Sequence, residues 1–147
     1  MKGKILINLY EIINERITNA KIAMERAQES ANSEGKSSAG DKYETSRAMG
    51  QIDRDMYARQ LDNAQNEKAI LDKIDLTKPS ISIGLGSLAH TSAGYFFLSI
   101  SAGKIEIEGQ MVMAVSPNSP IGIILKGKKV GDGFIFLGKE QLIISII

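Results

Sequence analysis

Cysteine and tryptophan are both absent from the 147 residues, and His90 is the only histidine. Without cysteine the chain forms no disulfide, no thiolate metal site and no cysteine nucleophile. A zinc site of the usual kinds or a serine–histidine hydrolase would depend on His90 alone, and no partner motif accompanies it. We therefore expect His90 to be an ordinary residue at a strand end or turn.

Long apolar runs and a strong net charge are missing as well. No apolar run approaches the roughly 18 residues that span a bilayer, and no signal-peptide cleavage site follows the first residues. We therefore expect a cytoplasmic protein without a membrane partner. The formal net charge of +1 does not favour tight, general binding to DNA.

Proline is absent from residues 1–76, which hold only four glycines, whereas residues 81–147 hold two prolines and ten glycines. A change of composition of this kind indicates a domain boundary. We predict a first domain at residues 1–76, a linker at 77–80 and a second domain at 81–147.

The first domain has the 3.6-residue apolar period of amphipathic helices. One stripe consists of Ile5, Leu9, Ile12, Ile13, Ile17, Ala20, Met24, Ala27 and Ala31, and a weaker one of Met49, Ile52, Met56, Leu61, Ala64, Leu71 and Ile74. The polar stretch 32–40, which contains two glycines, predicts a break between them. Together these features predict a long antiparallel α-helical hairpin of the coiled-coil type. Self-association through such a hairpin is an alternative role for this domain.

The second domain shows short apolar stretches separated by turn residues. The expected strands are 81–88, 95–100, 104–107, 111–115, 134–137 and 142–147. Ser119 and Pro120 have the pattern of a helix cap followed by a first helical turn, so we expect one short helix there. The expected fold class is α+β: a helical hairpin followed by a mostly antiparallel sheet with one short helix.

Two acids stand where the predicted hairpin turns back. Asp41 and Glu44 are three residues apart, so a helix that begins near Asp41 places both on one side of its first turn. In one hypothesis they form a capping box with a structural role. In the other, their oxygen atoms suit Mg²⁺ and help to complete a two-metal phosphodiester site on another molecule. The two hypotheses are compatible.

The segment from Ser119 to Asp132 resembles the C-terminal signature of the Gre family of bacterial transcript-cleavage factors. That signature runs Ser-Pro-x-(Ala/Gly)-x-x-Leu-x-Gly-Lys-x-x-Gly-Asp, and this chain matches its order and spacing. The stretch 40–48 is similar to the acidic motif at the family's hairpin tip. Asp41 and Glu44 match its first two acids, whereas Arg47 replaces the third, and Thr45 and Ala48 replace an asparagine and a tyrosine.

The resemblance implies a fold and a partner. The second domain would be similar to FK506-binding proteins and would dock on bacterial RNA polymerase at the rim of its secondary channel. The residues implied in docking are Ser119, Pro120, Gly122, Lys128, Lys129 and Asp132. The hairpin would enter the channel, where Asp41 and Glu44 would help to hold a Mg²⁺ ion shared with the polymerase. The chain would have no cofactor of its own.

The activity implied is indirect. The polymerase active site would hydrolyse the 3′ end of a backtracked RNA, and this chain would stimulate that reaction without being an enzyme itself. One alternative is a regulator that occupies the channel and inhibits without aiding cleavage. A second alternative is prolyl isomerisation by the sheet domain, which rests on the fold analogy alone.

Overall fold

A computed structural model describes residues 1–34 and 40–147, with side chains described for 1–32 and 44–147. Two long helices come first, α1 (Lys2–Glu34) and α2 (Gly40–Asp72). Two contacts show that these helices run antiparallel: Arg16 of α1 pairs with Glu67 of α2, and Ala31 of α1 lies beside Gly50 of α2. Of the break predicted at 32–40, residues 32–34 and Gly40 are helical, and residues 35–39 lie outside the described residues.

The apolar stripe predicted for α1 is confirmed. Ile5, Leu9 and Ile13 are completely buried, and Ala20 and Ala31 are almost completely buried. These residues follow one another at helical spacing, so one side of α1 faces the protein interior along its length.

The apolar stripe predicted for α2 is wrong over its first half. Met49 and Ile52 are 61% and 64% exposed, and Met56 is also exposed. The buried side of α2 instead starts at Gly50 and continues through Ala64 and Leu71. A two-helix pair covers only one side of each helix, so apolar residues elsewhere stay in contact with water.

The rest of the chain forms a six-stranded sheet with a short helix. Its strands are β1 (Leu88–Thr91), β2 (Gly94–Leu98), β3 (Gly103–Ile107), β4 (Gln110–Val115), β5 (Gly133–Phe136) and β6 (Lys139–Ile146), and α3 (Pro120–Leu125) lies between β4 and β5. The strand order is β3-β4-β2-β1-β6-β5. Only the β2–β4 pair is parallel. The predicted α+β class, with a mostly antiparallel sheet and one short helix, is confirmed.

Tight turns fix the register of two hairpins. Glu108 and Gly109 connect β3 to β4, and Leu137 and Gly138 connect β5 to β6; all four residues have positive φ. Two consecutive residues with positive φ are typical of type I′ turns, whose twist matches that of the flanking strands.

Side chains on both faces of the sheet are buried. One face carries a core cluster made of Ile83, Ala89, Phe96, Leu98, Val115, Leu125, Phe134 and Ile143. Because neighbouring residues of a strand point to opposite faces, Leu88, Phe97 and Val112 lie on the other face, and they are also completely buried.

The strand predicted at 81–88 is wrong. Residues 81–87 are irregular with one turn at Leu85 and Gly86, and β1 begins only at Leu88. Gly86 has a φ of +83°, and a Cβ atom there would lie 2.8 Å from Ile74, so this position needs glycine. Ile83 is buried although it is outside any strand, and its N–H donates to the Lys128 carbonyl at 2.8 Å.

The described chain divides into two compact units. One is Glu11–Lys68, and the other combines Met1–Tyr10 with Ala69–Ile147. These units describe how the chain packs, and the domain boundaries predicted from composition stay a prediction. No helix among residues 1–34 and 40–147 is both long enough and apolar enough to cross a membrane.

Candidate functional site

The two acids of the predicted tip lie within the first five residues of α2. The helix begins at Gly40, so the backbone of Asp41 and that of Glu44 are both helical. Because Asp41 lies inside the helix, it is not the N-cap residue that the capping-box hypothesis requires, and that hypothesis is wrong. The side chain of Asp41 lies outside the described residues, and the side chain of Glu44 is exposed. Acids in a first turn stabilise the positive end of the helix dipole, so a structural role and a functional role remain compatible.

The position of these acids follows from the pairing of the helices. In the unit Glu11–Lys68, α1 and α2 lie side by side from the Arg16–Glu67 ion pair, at 3.2 Å, to the contact of Ala31 with Gly50. A Cβ atom on Gly50 would lie only 2.8 Å from the Ala31 Cβ, so the helix backbones approach closely there. Asp41 and Glu44 precede Gly50 in α2, so they lie beyond this contact on the side away from Glu67.

Arg47 follows Glu44 by three residues in α2, and its side chain is exposed. Residues three apart on a helix are neighbours on its surface, so a positive charge stands one turn from the Glu44 carboxylate. Among the described residues no group of three or more potential metal-ligating side chains comes together. Two carboxylates from this chain would need further ligands from a partner before they could hold Mg²⁺.

The second group of predicted site residues surrounds α3. The Ser119 hydroxyl accepts a hydrogen bond from the Gly122 N–H at 3.1 Å and donates one to the Ser116 carbonyl at 2.6 Å. Pro120 occupies the first position of the helix, where its missing N–H costs nothing. The predicted cap at Ser119 is confirmed, so at least part of this motif has a structural role.

Gly122 has a steric reason to be glycine. A Cβ atom at this position would lie 2.0 Å from the Ser116 carbonyl oxygen, far inside any allowed contact distance. The residue is buried and its φ is not positive, so close approach of the backbone, and not an unusual dihedral angle, excludes a side chain. This explains the small residue in the motif without reference to a partner.

The basic turn after α3 is held by Asp132. Its carboxylate accepts a hydrogen bond from the Lys129 N–H at 2.8 Å, and its own N–H donates to the Lys129 carbonyl at 3.0 Å. Lys129 and Asp132 are exposed and Lys128 is half-buried. The structure therefore brings these three residues into one turn, close in sequence to α3.

His90 lies inside β1, next to its last residue, and its cross-strand neighbour on β2 is Tyr95. The two half-buried rings stack with centroids 4.3 Å apart and planes 8° apart. We did not predict this pair from the sequence. The sequence feature that indicates this pair is the short turn at Ser92 and Ala93, because it places residues 90 and 95 opposite each other on the two strands.

No protein-family model and no curated protein sequence matches this chain.

Proposed function

We propose that this chain is a transcription elongation factor of the Gre type. It would bind bacterial RNA polymerase in the secondary channel and stimulate the polymerase's own cleavage of backtracked RNA. The observation that supports the proposal is that Asp41 and Glu44 lie within the first five residues of α2, one of two antiparallel helices, and that the Glu44 side chain is exposed. A factor of this kind acts in the cytoplasm.

The two carboxylates suit the chemistry of the proposed site. Asp41 and Glu44 would supply oxygen ligands to a Mg²⁺ ion in the polymerase complex, and that ion would make a bound water a better nucleophile toward RNA phosphate. Two ligands are too few to retain Mg²⁺ tightly in the free factor. The exposed Glu44 needs no rearrangement of its surroundings to reach a partner's metal site.

Docking would use the unit that contains the sheet. Residues 1–10 and 69–147 hold nine basic and six acidic side chains, so this unit is positively charged overall. Lys128 and Lys129 lie in the turn held by Asp132, directly after the helix that Ser119 caps. An acidic surface on the polymerase is the complementary partner for this turn.

A binding experiment tests the docking surface. Lys128→Glu combined with Lys129→Glu should weaken co-elution with core RNA polymerase about tenfold or more at low salt, because both contacts become repulsive. Lys73→Glu combined with Lys104→Glu makes the same change of net charge elsewhere and is the control. Equal binding by the two double variants would contradict the proposed docking turn, and no binding by the unsubstituted protein would contradict the function.

Arg47 supports a second candidate, a factor that occupies the channel without aiding cleavage. Its charge is one helical turn from Glu44, where it would oppose the binding of a metal ion. In that case the protein would slow RNA synthesis or exclude other channel ligands. Arg47→Glu should then convert it into a stimulator of cleavage, and an unchanged cleavage rate in this variant would remove the reason for this candidate.

A further inference from the structure

The outermost strand β5 has one neighbour in the sheet, β6, and the hairpin of these two strands exposes apolar side chains. Ile135 is 63% exposed, and Leu142 and Ile144 are about half exposed. Ile135 and Leu142 point to the face opposite the buried Phe134. Gly133 pairs with Leu142, so no side chain stands opposite that leucine on the edge strand.

The β5 edge has no charged residue, proline or bulge, although the strand is only four residues long. Natural edge strands carry charged residues, prolines or bulges. The other edge strand, β3, has Lys104 and Glu106, but β5 reads Gly-Phe-Ile-Phe with no charge. Phe136 and Lys139 close a two-residue turn and therefore form a hydrogen-bonded pair. Because hydrogen-bonded and non-hydrogen-bonded pairs alternate along an antiparallel ladder, the backbone N–H of Ile135 points to the open edge.

A depression of about 510 Å³ lies on this hairpin. It is lined by Ser92, Gly133, Phe134, Ile135, Glu140, Gln141 and Leu142. The glycine leaves room for a side chain from outside. Glu140 is the only charged residue in the lining, and it has no ion pair with the side chains described, those of residues 1–32 and 44–147.

Leu137 at the tip of the hairpin is unfavourable in two ways. Its φ is +52°, a conformation that usually belongs to glycine or asparagine and that is strained for a leucine. Its side chain is also 85% exposed. Nothing in the fold of the hairpin explains a large apolar residue there, whereas contact with a partner would bury it.

We propose that the hairpin surface, defined as Gly133, Ile135, Leu137, Glu140 and Leu142, binds an extended segment of a partner protein. The segment adds as a seventh strand beside β5, with an apolar side chain over Gly133 and a lysine or arginine next to Glu140. This site shares no residue with the proposed polymerase-docking turn, although Gly133 directly follows Asp132, and it goes beyond the proposed function.

The available area favours a short segment over a second copy of the chain. A stable dimer buries about 800 Å² on each partner. Burying Ile135, Leu137 and Leu142 removes on the order of 100 Å² each from water. An added strand depends less on area, because main-chain hydrogen bonds supply much of its affinity.

The test uses the full chain and a labelled probe, a seven-residue peptide of alternating valine and threonine in which one central valine is replaced by lysine. Binding should slow hydrogen exchange at the Ile135 amide. The lysine peptide should bind about fivefold more tightly than the same peptide with glutamate, and Glu140→Lys should reverse that preference. Glu106→Lys, on the opposite edge strand, should leave it unchanged.

A second variant tests the depression itself. A Cβ atom at Gly133 meets only the Gln141 carbonyl oxygen at 3.6 Å, and its φ is not positive, so Gly133→Val should fold normally. It should weaken peptide binding about tenfold, since one filled pocket is worth roughly 1.4 kcal/mol. Absence of peptide binding, unchanged exchange at Ile135, an unchanged preference in Glu140→Lys, or a stable dimer that Gly133→Val dissociates would each overturn the proposal.

Discussion

Ser99 and Ser87 are both buried serines, but their hydroxyl groups have different surroundings. The Ser87 hydroxyl accepts a hydrogen bond from the Gly84 N–H at 3.0 Å and donates one to the Ser80 hydroxyl at 3.1 Å. The Ser99 hydroxyl is completely buried and has no hydrogen-bond partner among the described residues. A buried hydroxyl without a partner loses its hydration and gains nothing in return.

This difference predicts opposite effects of alanine. Ser99→Ala should raise the free energy of unfolding by up to about 1 kcal/mol, because it removes an unsatisfied group. Ser87→Ala should lower it by about 1 kcal/mol, because the Gly84 N–H loses its acceptor. Urea unfolding of both variants measures this; a clear loss of stability in Ser99→Ala would show that its hydroxyl is satisfied.

Gly122 allows a prediction in which two effects compete. Alanine is a better helix former than glycine by about 1 kcal/mol. The new Cβ atom, however, would lie 2.0 Å from the Ser116 carbonyl oxygen, so the backbone must move, at a cost of about 3 kcal/mol or more. Gly122→Ala should therefore destabilise the sheet unit by about 2 kcal/mol.

Gly84→Ala is the matched control, since a Cβ atom there has no neighbour within 4 Å. Thermal unfolding should show little change for this variant and a clear decrease in melting temperature for Gly122→Ala. Equal melting temperatures would mean that the α3 backbone adapts easily. The sequence identified Gly122 as part of a motif, but its steric role depends on the Ser116 carbonyl, which only the folded backbone brings close.

At the scale of elements, the Tyr10 hydroxyl of α1 donates a hydrogen bond of 2.5 Å to the Asp72 carboxylate of α2. This hydrogen bond, followed by desolvation and by the negative charge of Asp72, raises the pKa of Tyr10 from 10.0 to about 12. The contact joins the first part of α1 to the last part of α2, within the unit that contains the sheet.

The raised pKa predicts a dependence of stability on pH. Because the folded protein retains the Tyr10 proton longer than the unfolded chain, the stabilisation is complete below pH 10 and is lost as the pH rises toward 12. Tyr10→Phe should be slightly less stable at pH 8. The difference between it and the unsubstituted protein should disappear by about pH 12. A difference that stays constant from pH 8 to 12 would contradict this contact.

The elements differ in how far their sequence determines them. In α1 the residues of the apolar period are also the buried ones, because Ile5, Leu9 and Ile13 can be buried only on that side of the helix. In α2 the apolar period predicted the wrong buried face, since Met49 and Ile52 lie outside the side of the helix that one neighbouring helix covers. The apolar residues of 81–88 wrongly predicted a strand, because the glycines between them turn the chain. No local sequence pattern indicates that Ile83 is buried although it lies outside any strand.

At the scale of the whole molecule, composition and motif order predicted the fold class and the short capped helix. The placement of Asp41 and Glu44 at a hairpin tip stays a prediction, because residues 35–39 lie outside the described residues. Composition and motif order did not predict the stacked rings of His90 and Tyr95 or the open edge of β5. The ring pair follows from the short turn between β1 and β2 and was overlooked, whereas the open edge of β5 depends on a strand order, β2-β1-β6-β5, that follows from tertiary packing.

The central claim is that the acids at the start of α2 promote RNA cleavage by the polymerase. The most direct measurement is the rate of 3′-end cleavage in stalled elongation complexes at saturating factor. Asp41→Asn combined with Glu44→Gln keeps the size of both side chains and removes their charge. The account predicts that this variant still binds the polymerase but that cleavage falls to the rate without factor. Cleavage by the double variant as fast as with the unsubstituted protein would contradict it.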